Sequence, residues 1–286
     1  MVKLMKIYLD CLPCFLKQTV QAGHLVTDDE GLIRNIVNEV AAMIPYLPEN
    51  STPPEIGEKI HRRIREITGM NDPYSSVKQQ NIEEALLLYP DMKKLVRESS
   101  DPLFTAVKVA IAGNIIDFGT GTEFDITTDI HRITNQEPAI NDIGLFKESL
   151  EKAESILYLG DNAGESVFDR ILIEELKKPV TYIVRGIPVL NDVTYEDAVA
   201  SGLDDSAFEI ISSGTTAPGT VLPLCSANFI NLFNKADMVI SKGQGNYEGL
   251  SDVNRPVFFL LKAKCAVIAR DIGVCEGDTV VKGINF

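Results

Sequence analysis

The chain has 286 residues, 45% of them apolar, and a formal net charge of −14. That length fits one large domain or two moderate ones, and the charge excludes a basic nucleic-acid-binding surface. No run of 18 apolar residues occurs, so neither a transmembrane helix nor a membrane partner is expected. The first residues hold two lysines and then Asp10, without a long apolar segment or a small-residue cleavage site. They do not read as a secretory leader, and a cytoplasmic location is expected.

Near the start, Cys11 and Cys14 form a C-x-x-C, two of five cysteines in all. An odd number argues against a disulfide framework. A structural zinc site would need two more Cys or His at similar spacing, and His24, His61 and His131 form no such pair. The pair is expected as free thiols at a helix start, near the rim of a cleft. A redox or metal-handling role is the competing reading.

Helical periodicity then runs to about residue 135. VTDDEGLIRNIVNEVAAMI places Leu32, Ile33, Ile36, Val37 and Val40 at helical spacing, with Thr27, Asp28 and Asp29 as candidate caps. STPPEIGEKIHRRIREITG opens at Pro53 and Pro54 and stops at Gly69. His61 stands beside Arg62 and Arg63, which reads as a solvated face. DPYSSVKQQNIEEALLLYPDMKKLVRES reads as two helical pieces broken at Pro90. DPLFTAVKVAIAGNIIDFG reads as a buried helix carrying Asn114 and Asp117 on one face near its end. A carboxylate there opposes the helix dipole. Two explanations stand: local hydrogen bonding at the helix end, or polar groups facing a binding cleft.

From about residue 150 the pattern changes. SILYL, VTYIVRG, FEIISS, DMVISKG and VFFLLKA alternate with helical runs of 8 to 14 residues. This is the signature of a parallel sheet with helices on its faces, an α/β fold. The expected division is a helical domain over residues 1–135 and an α/β domain over 146–286, with a seam at 118–145.

The loops after these strands are unusually polar. In a parallel sheet they gather at one edge. GDNAGE follows the first strand, IPVLNDVT the second, SGTTAPGT the third and KGQGNYEG the fourth. Asp161 and Asn162 could merely cap the following helix and form its turn. With Asp192 they also supply three hard oxygen donors and two negative charges, a set that suits Mg or Mn. Lys242 adds a compact cation. The amides of Ser213, Gly214, Thr215 and Thr216, and those at Gly164-Glu165, suit a phosphate. Metal, lysine and amides together describe phosphoryl transfer or phosphate-ester hydrolysis. The expected phosphate contacts are Lys242, Ser213, Gly214, Thr215, Thr216 and Asn246, with Asn114 and Asp117 closing the cleft. Glu165 or a metal-bound hydroxide is the candidate base. The chain has no P-loop, no G-x-S-x-G elbow and no H-E-x-x-H, and after Gly243-Gln244-Gly245 the third glycine falls one residue late, at Gly249.

DNAGE, LNDVT, SGTTAPGT and SKGQGNYEG, with the early CLPC and the GNIID helix, resemble the DUF89 family of damage-control phosphatases. The likeness is strongest to its small prokaryotic branch with an N-terminal C-x-x-C, and it spans essentially the whole chain. The resemblance implies a helical N-terminal region beside a Rossmann-like α/β core. It implies a phosphatase dependent on a divalent ion (Mn, Co, Ni or Mg), acting on small phosphorylated metabolites such as sugar phosphates or damaged phospho-metabolites. It places the metal on Asp161, Asn162 and Asp192 and substrate on Lys242. A non-catalytic nucleotide- or metabolite-binding module is the alternative.

Overall fold

The computed structural model describes residues 5–113 and 135–286. Seven strands among them form one sheet in the order β1-β7-β6-β5-β2-β3-β4. They are β1 (Ile140–Asn141), β2 (Ile156–Leu159), β3 (Val180–Val184), β4 (Glu209–Ser212), β5 (Met238–Lys242), β6 (Val257–Lys262) and β7 (Thr279–Ile284). The neighbours from β4 to β6 pair in parallel, while β7 runs antiparallel to β6 and carries the two-residue β1 on its far side. The expected α/β sheet with flanking helices is therefore present.

Every residue of β2 and β5 is buried. Both are covered on two faces, which is why β2 and the first three residues of β5 read as apolar runs. Along β2, Ile156 and Tyr158 join one core while Leu157 and Leu159 join another, following the two-residue period of a strand. On the first face lie the helices Ser75–Glu98, Pro102–Ala112, Ile143–Lys152 and Ser166–Leu176. The second is covered by Ala227–Lys235, Gly243–Leu250 and Ala266–Ile272. Phe168 is fully buried in the first core, a burial that contributes on the order of 2–3 kcal/mol. A Cβ on Gly113 would stand 2.7 Å from its ring, so the end of Pro102–Ala112 approaches closely only because residue 113 has none.

The N-terminal helices begin where caps allow. Asp29 accepts from the amides of Gly31 and Leu32 to start Glu30–Met43. Thr52 and Glu55 form a capping box ahead of Pro53, and Gly69 ends Pro53–Thr68 in the left-handed region. Two expectations need correction. Ser75–Glu98 is one helix with Pro90 inside it. A mid-helix proline costs about 3 kcal/mol, but Ile82 and Ala85 before it and Met92 and Val96 after it all bury in the same core, and that outweighs the break.

His61 is the second correction. It is buried rather than solvated, only 5% exposed, because this helix is covered on two sides. One side packs in a core with Cys11–Val26 and Glu30–Met43. The other faces residues 188–190, where Arg65 donates to the Pro188 carbonyl. Burial, reinforced by Arg65, lowers the imidazole pKa from 6.5 to about 4. The folded chain keeps His61 neutral, while the unfolded chain protonates it near pH 6.5. The resulting stability is fully present above about pH 6.5. It is lost as pH falls from about 6.5 to about 4, roughly 3 kcal/mol in all. His61→Leu is expected to flatten that part of the stability–pH curve in urea denaturation. An unchanged slope would assign the effect to another group.

Candidate active site

From β2 the chain steps outward through β3 to β4, then returns to the opposite side of β2 as β5. The switch point therefore lies between the carboxyl ends of β2 and β5, where open α/β sheets bind ligands. Leu159 there lies opposite both Ile183 and Ser241. Asp161 and Asn162 leave β2 at this point, and Lys242 and Gly243 leave β5.

The loops after β2 and β3 are tied together by their backbones. The Val193 amide donates to the Asp161 carbonyl and the Ala163 amide to the Asn191 carbonyl, each at 2.8 Å. Asn162 and Asp192 thereby face each other as an antiparallel bridge. The pattern is that of a non-hydrogen-bonded pair, the one with Cα atoms only about 4.5 Å apart and side chains on the same side. Asp161 is held from below by a glycine: a Cβ on Gly243, whose φ is +77°, would meet its Oδ2.

Side chains then fix the orientation. Asn162 Nδ2 donates to Glu165 Oε1 at 2.7 Å, which leaves the Asn162 carbonyl oxygen as its outward donor atom. Arg185, at the end of β3, is fully buried. Its Nε lies 2.5 Å from Asp192 Oδ2 and its Nη2 3.6 Å from Asp161 Oδ1. Among the described residues neither Nη atom has a hydrogen-bond partner, and the ion pairs of this guanidinium are with the two aspartates. Behind them, Lys242 Nζ is enclosed between Asp169 Oδ1 at 2.6 Å and Glu165 Oε2 at 3.2 Å. Asp169 also accepts from the hydroxyls of Tyr158 and Tyr182, each at 2.8 Å.

Charge is unevenly balanced here. Burial alone would lower the Lys242 pKa, but Asp169 and Glu165 outweigh it and raise it, so the ammonium persists. Asp169, closer to it and bonded to two hydroxyls, takes most of that cation. Glu165 feels the remainder: burial raises it, Lys242 opposes, and Asp161 raises it further. Asp192 follows the same course, raised by burial, opposed by Arg185 and raised again by Asp161. Burial also brings Glu248 up to about 7 against its Gln244 hydrogen bond, with Asp161 adding to the rise.

These groups line a cavity of about 650 Å³. Asp161, Asn162, Glu165, Asp192 and Glu248 form its acidic side, Lys264 supplies a cation, and Cys11, Cys14 and Cys265 lie on its wall. All five cysteines are free. Among the described residues no three His, Cys, Asp or Glu side chains group as ligands. The candidate trio here has only two carboxylates, and its third member is the Asn162 carboxamide. Two carboxylates and a carbonyl oxygen on a buried acidic wall still fit a hard divalent ion, whose charge would offset the repulsion among Asp161, Glu165 and Asp192.

Other expected site residues lie elsewhere. Lys242 is fully buried beneath the cavity rather than on its wall. Ser213, Gly214, Thr215 and Thr216 do not line it either. The amides of the first three already donate to Val184, Ser212 and Ser213, while Thr216 Oγ1 donates to Glu58. Asn246 is a structural clamp: its amide donates to the carbonyls of Gly160 and Lys242, and its oxygen accepts from Thr220. Asn114 and Asp117 lie outside the described residues, and Gly113 just before them lines the cavity. KGQGNYEG, read as a loop, is largely the eight-residue helix Gly243–Leu250. Sequence reasoning noted Arg185 among the polar residues after the second strand but gave no site role to it, to Asp169 or to Lys264. The one available signal was their position: Arg185 one residue past β3 and Lys264 two past β6.

The model of the damage-control phosphatase ARMT1-like domain matches residues 7–280. A damage-control phosphatase of Archaeoglobus fulgidus is 39% identical, over 98% of this chain and all of its own length. An uncharacterized protein of Methanocaldococcus jannaschii is 37% identical over 96% of this chain and 95% of its own. A solved DUF89 family protein of Pyrococcus horikoshii superposes with a TM-score of 0.90 at 35% identity, covering 97% of this chain and 98% of that one. With the match running from before the first helix into β7, this chain belongs to the ARMT1-like damage-control phosphatase family.

Proposed function

We propose that the chain is a divalent-metal-dependent phosphatase acting on small phosphorylated metabolites. The observation that carries this reading is the pairing of Asn162 and Asp192 across a backbone bridge beside Asp161, at the switch point of the sheet. Asp161, Asn162 and Asp192 would hold the ion, which when bound supplies Lewis-acid polarisation of a phosphoryl oxygen and an acidified water. The chain's own residues do the rest. Arg185 keeps both aspartates aimed at one point, and Glu165, fixed by Lys242, keeps the Asn162 oxygen turned outward. Lys264, exposed at the carboxyl end of β6 and lining the cavity, would reach a phosphate oxygen as charge builds there. The cavity exceeds a phosphate in size, and among the described residues Phe15 is its only aromatic lining residue. A polar sugar-phosphate body suits it better than a base that needs stacking.

Purified protein, stripped with EDTA, is expected to hydrolyse p-nitrophenyl phosphate and sugar phosphates only after Mn, Co, Ni or Mg is restored. Phosphate release would be followed colorimetrically. Hydrolysis indifferent to chelation would remove the metal from the reading. No hydrolysis with any ion would leave a binding module.

A further inference from the structure

Phosphate-ester hydrolysis needs a proton for the departing oxygen when the leaving group is an alcohol. Among the described residues six acids lie on the cavity wall: Asp10 and Glu276 are exposed to solvent, and three of the other four are committed elsewhere. Asp161 and Asp192 are the proposed ion ligands. Glu165 has both oxygens occupied, one by Asn162 and one by Lys242. Glu248 is different. It lies half-buried on the helix Gly243–Leu250, whose first residue touches Asp161 and which also brings Gln244 and Gly245 to the cavity. Its Oε1 accepts from Gln244 Nε2 at 2.9 Å. The orientation of Gln244 is fixed, because its Oε1 accepts the Lys264 amide at 3.1 Å and its Nε2 also reaches Cys265 Sγ at 3.7 Å. Gln244 can therefore only donate to Glu248, which leaves Oε2 as the oxygen that carries a proton. Gly243, which abuts Asp161, and Glu248 are five residues apart, about 7.5 Å along the helix axis, and Asp161 and Glu248 line the same cavity.

We propose that Glu248 is the catalytic acid that protonates the leaving oxygen of an alkyl phosphate. This rests on the phosphatase reading above. In the step, water oxygen bonds to phosphorus and the ester P–O bond breaks. The departing oxygen takes the Glu248 proton and leaves as an alcohol. The proton of the attacking water goes to solvent or stays on the phosphate product, and the Glu248 carboxylate is reprotonated from solvent. Burial keeps the carboxyl protonated into the neutral range.

The test compares leaving groups. Glu248→Gln keeps the size and still accepts from Gln244. It is expected to lose about 10²-fold or more in turnover on glycerol phosphate, but only a few-fold on p-nitrophenyl phosphate, whose phenolate departs without a proton. Across a series of aryl phosphates the dependence of log kcat on leaving-group pKa should steepen, and Mn affinity by calorimetry should not change. Glu248→Asp should show the same pattern more weakly, which keeps the test open if the glutamine variant folds poorly. Equal loss on both esters, or none, would overturn the assignment of Glu248. Failure of the unmodified protein to hydrolyse either ester would overturn the phosphatase reading instead.

Discussion

Asp161→Ala is expected to lower metal-dependent turnover by roughly 10³-fold or more, equivalent to about 4 kcal/mol of transition-state stabilisation. The same change should weaken Mn binding in calorimetry, while circular dichroism stays unaltered. Its stability cost should be modest, because Arg185 retains its closer partner, Asp192 at 2.5 Å. Asp192 is the converse case. Truncating it strands a fully buried guanidinium, which costs about 3–5 kcal/mol, so Asp192→Asn is the better probe there. Should Asp161→Ala retain a tenth of normal turnover, Asp161 would not be an ion ligand.

Asp169→Ala is expected to destabilise the fold by about 3–5 kcal/mol, a large share of the 5–15 typical of a domain. Asp169 accepts from two tyrosine hydroxyls and from Lys242, all fully buried. Its loss leaves three donors in a dry core and one carboxylate, Glu165, for the ammonium. Lys242→Met alone should also be costly, since it strands the two carboxylates. The double variant should be less destabilised than the sum of the two, because the remaining charge imbalance is smaller. Urea denaturation of all four forms measures this. Strict additivity would show that the pair is not coupled.

The sheet was legible where strands are buried on both faces. β2, β3, β5 and β6 read as apolar runs because helices cover them on either side. β1, with two residues, and β7, the antiparallel neighbour of β6, lie outside that pattern and were not anticipated. KGQGNYEG looked like a loop because of its glycines. Their reason is proximity: Gly245 and Gly249 would drive a Cβ into the backbone of Pro218 and Thr220, and Gly243 would drive one into Asp161. That Asp161, Asn162 and Asp192 come together was legible because strand ends place their own loops. Lys242 was harder to place. Its position at the carboxyl end of β5 was clear, but its partners sit 73 and 77 residues away, and nothing local shows that its side chain turns away from the cavity wall.

The helices Cys11–Val26, Glu30–Met43 and Pro53–Thr68 close on a small core of their own, with Phe15, Ile36, Val40, Ile56, Ile60 and Ile64 at its centre. They also supply Cys11, Cys14, Gln18, Pro54 and Gly57 to the cavity wall, whereas the acidic side rests on the sheet. The two sides thus rest on different hydrophobic cores. Amides of the first three helices should exchange with deuterium sooner than those of β2 and β5, since a smaller core opens at lower free energy. A bound phosphate ester would touch both sides at once and slow that exchange, so the ligand itself would lock the enclosure around the reaction.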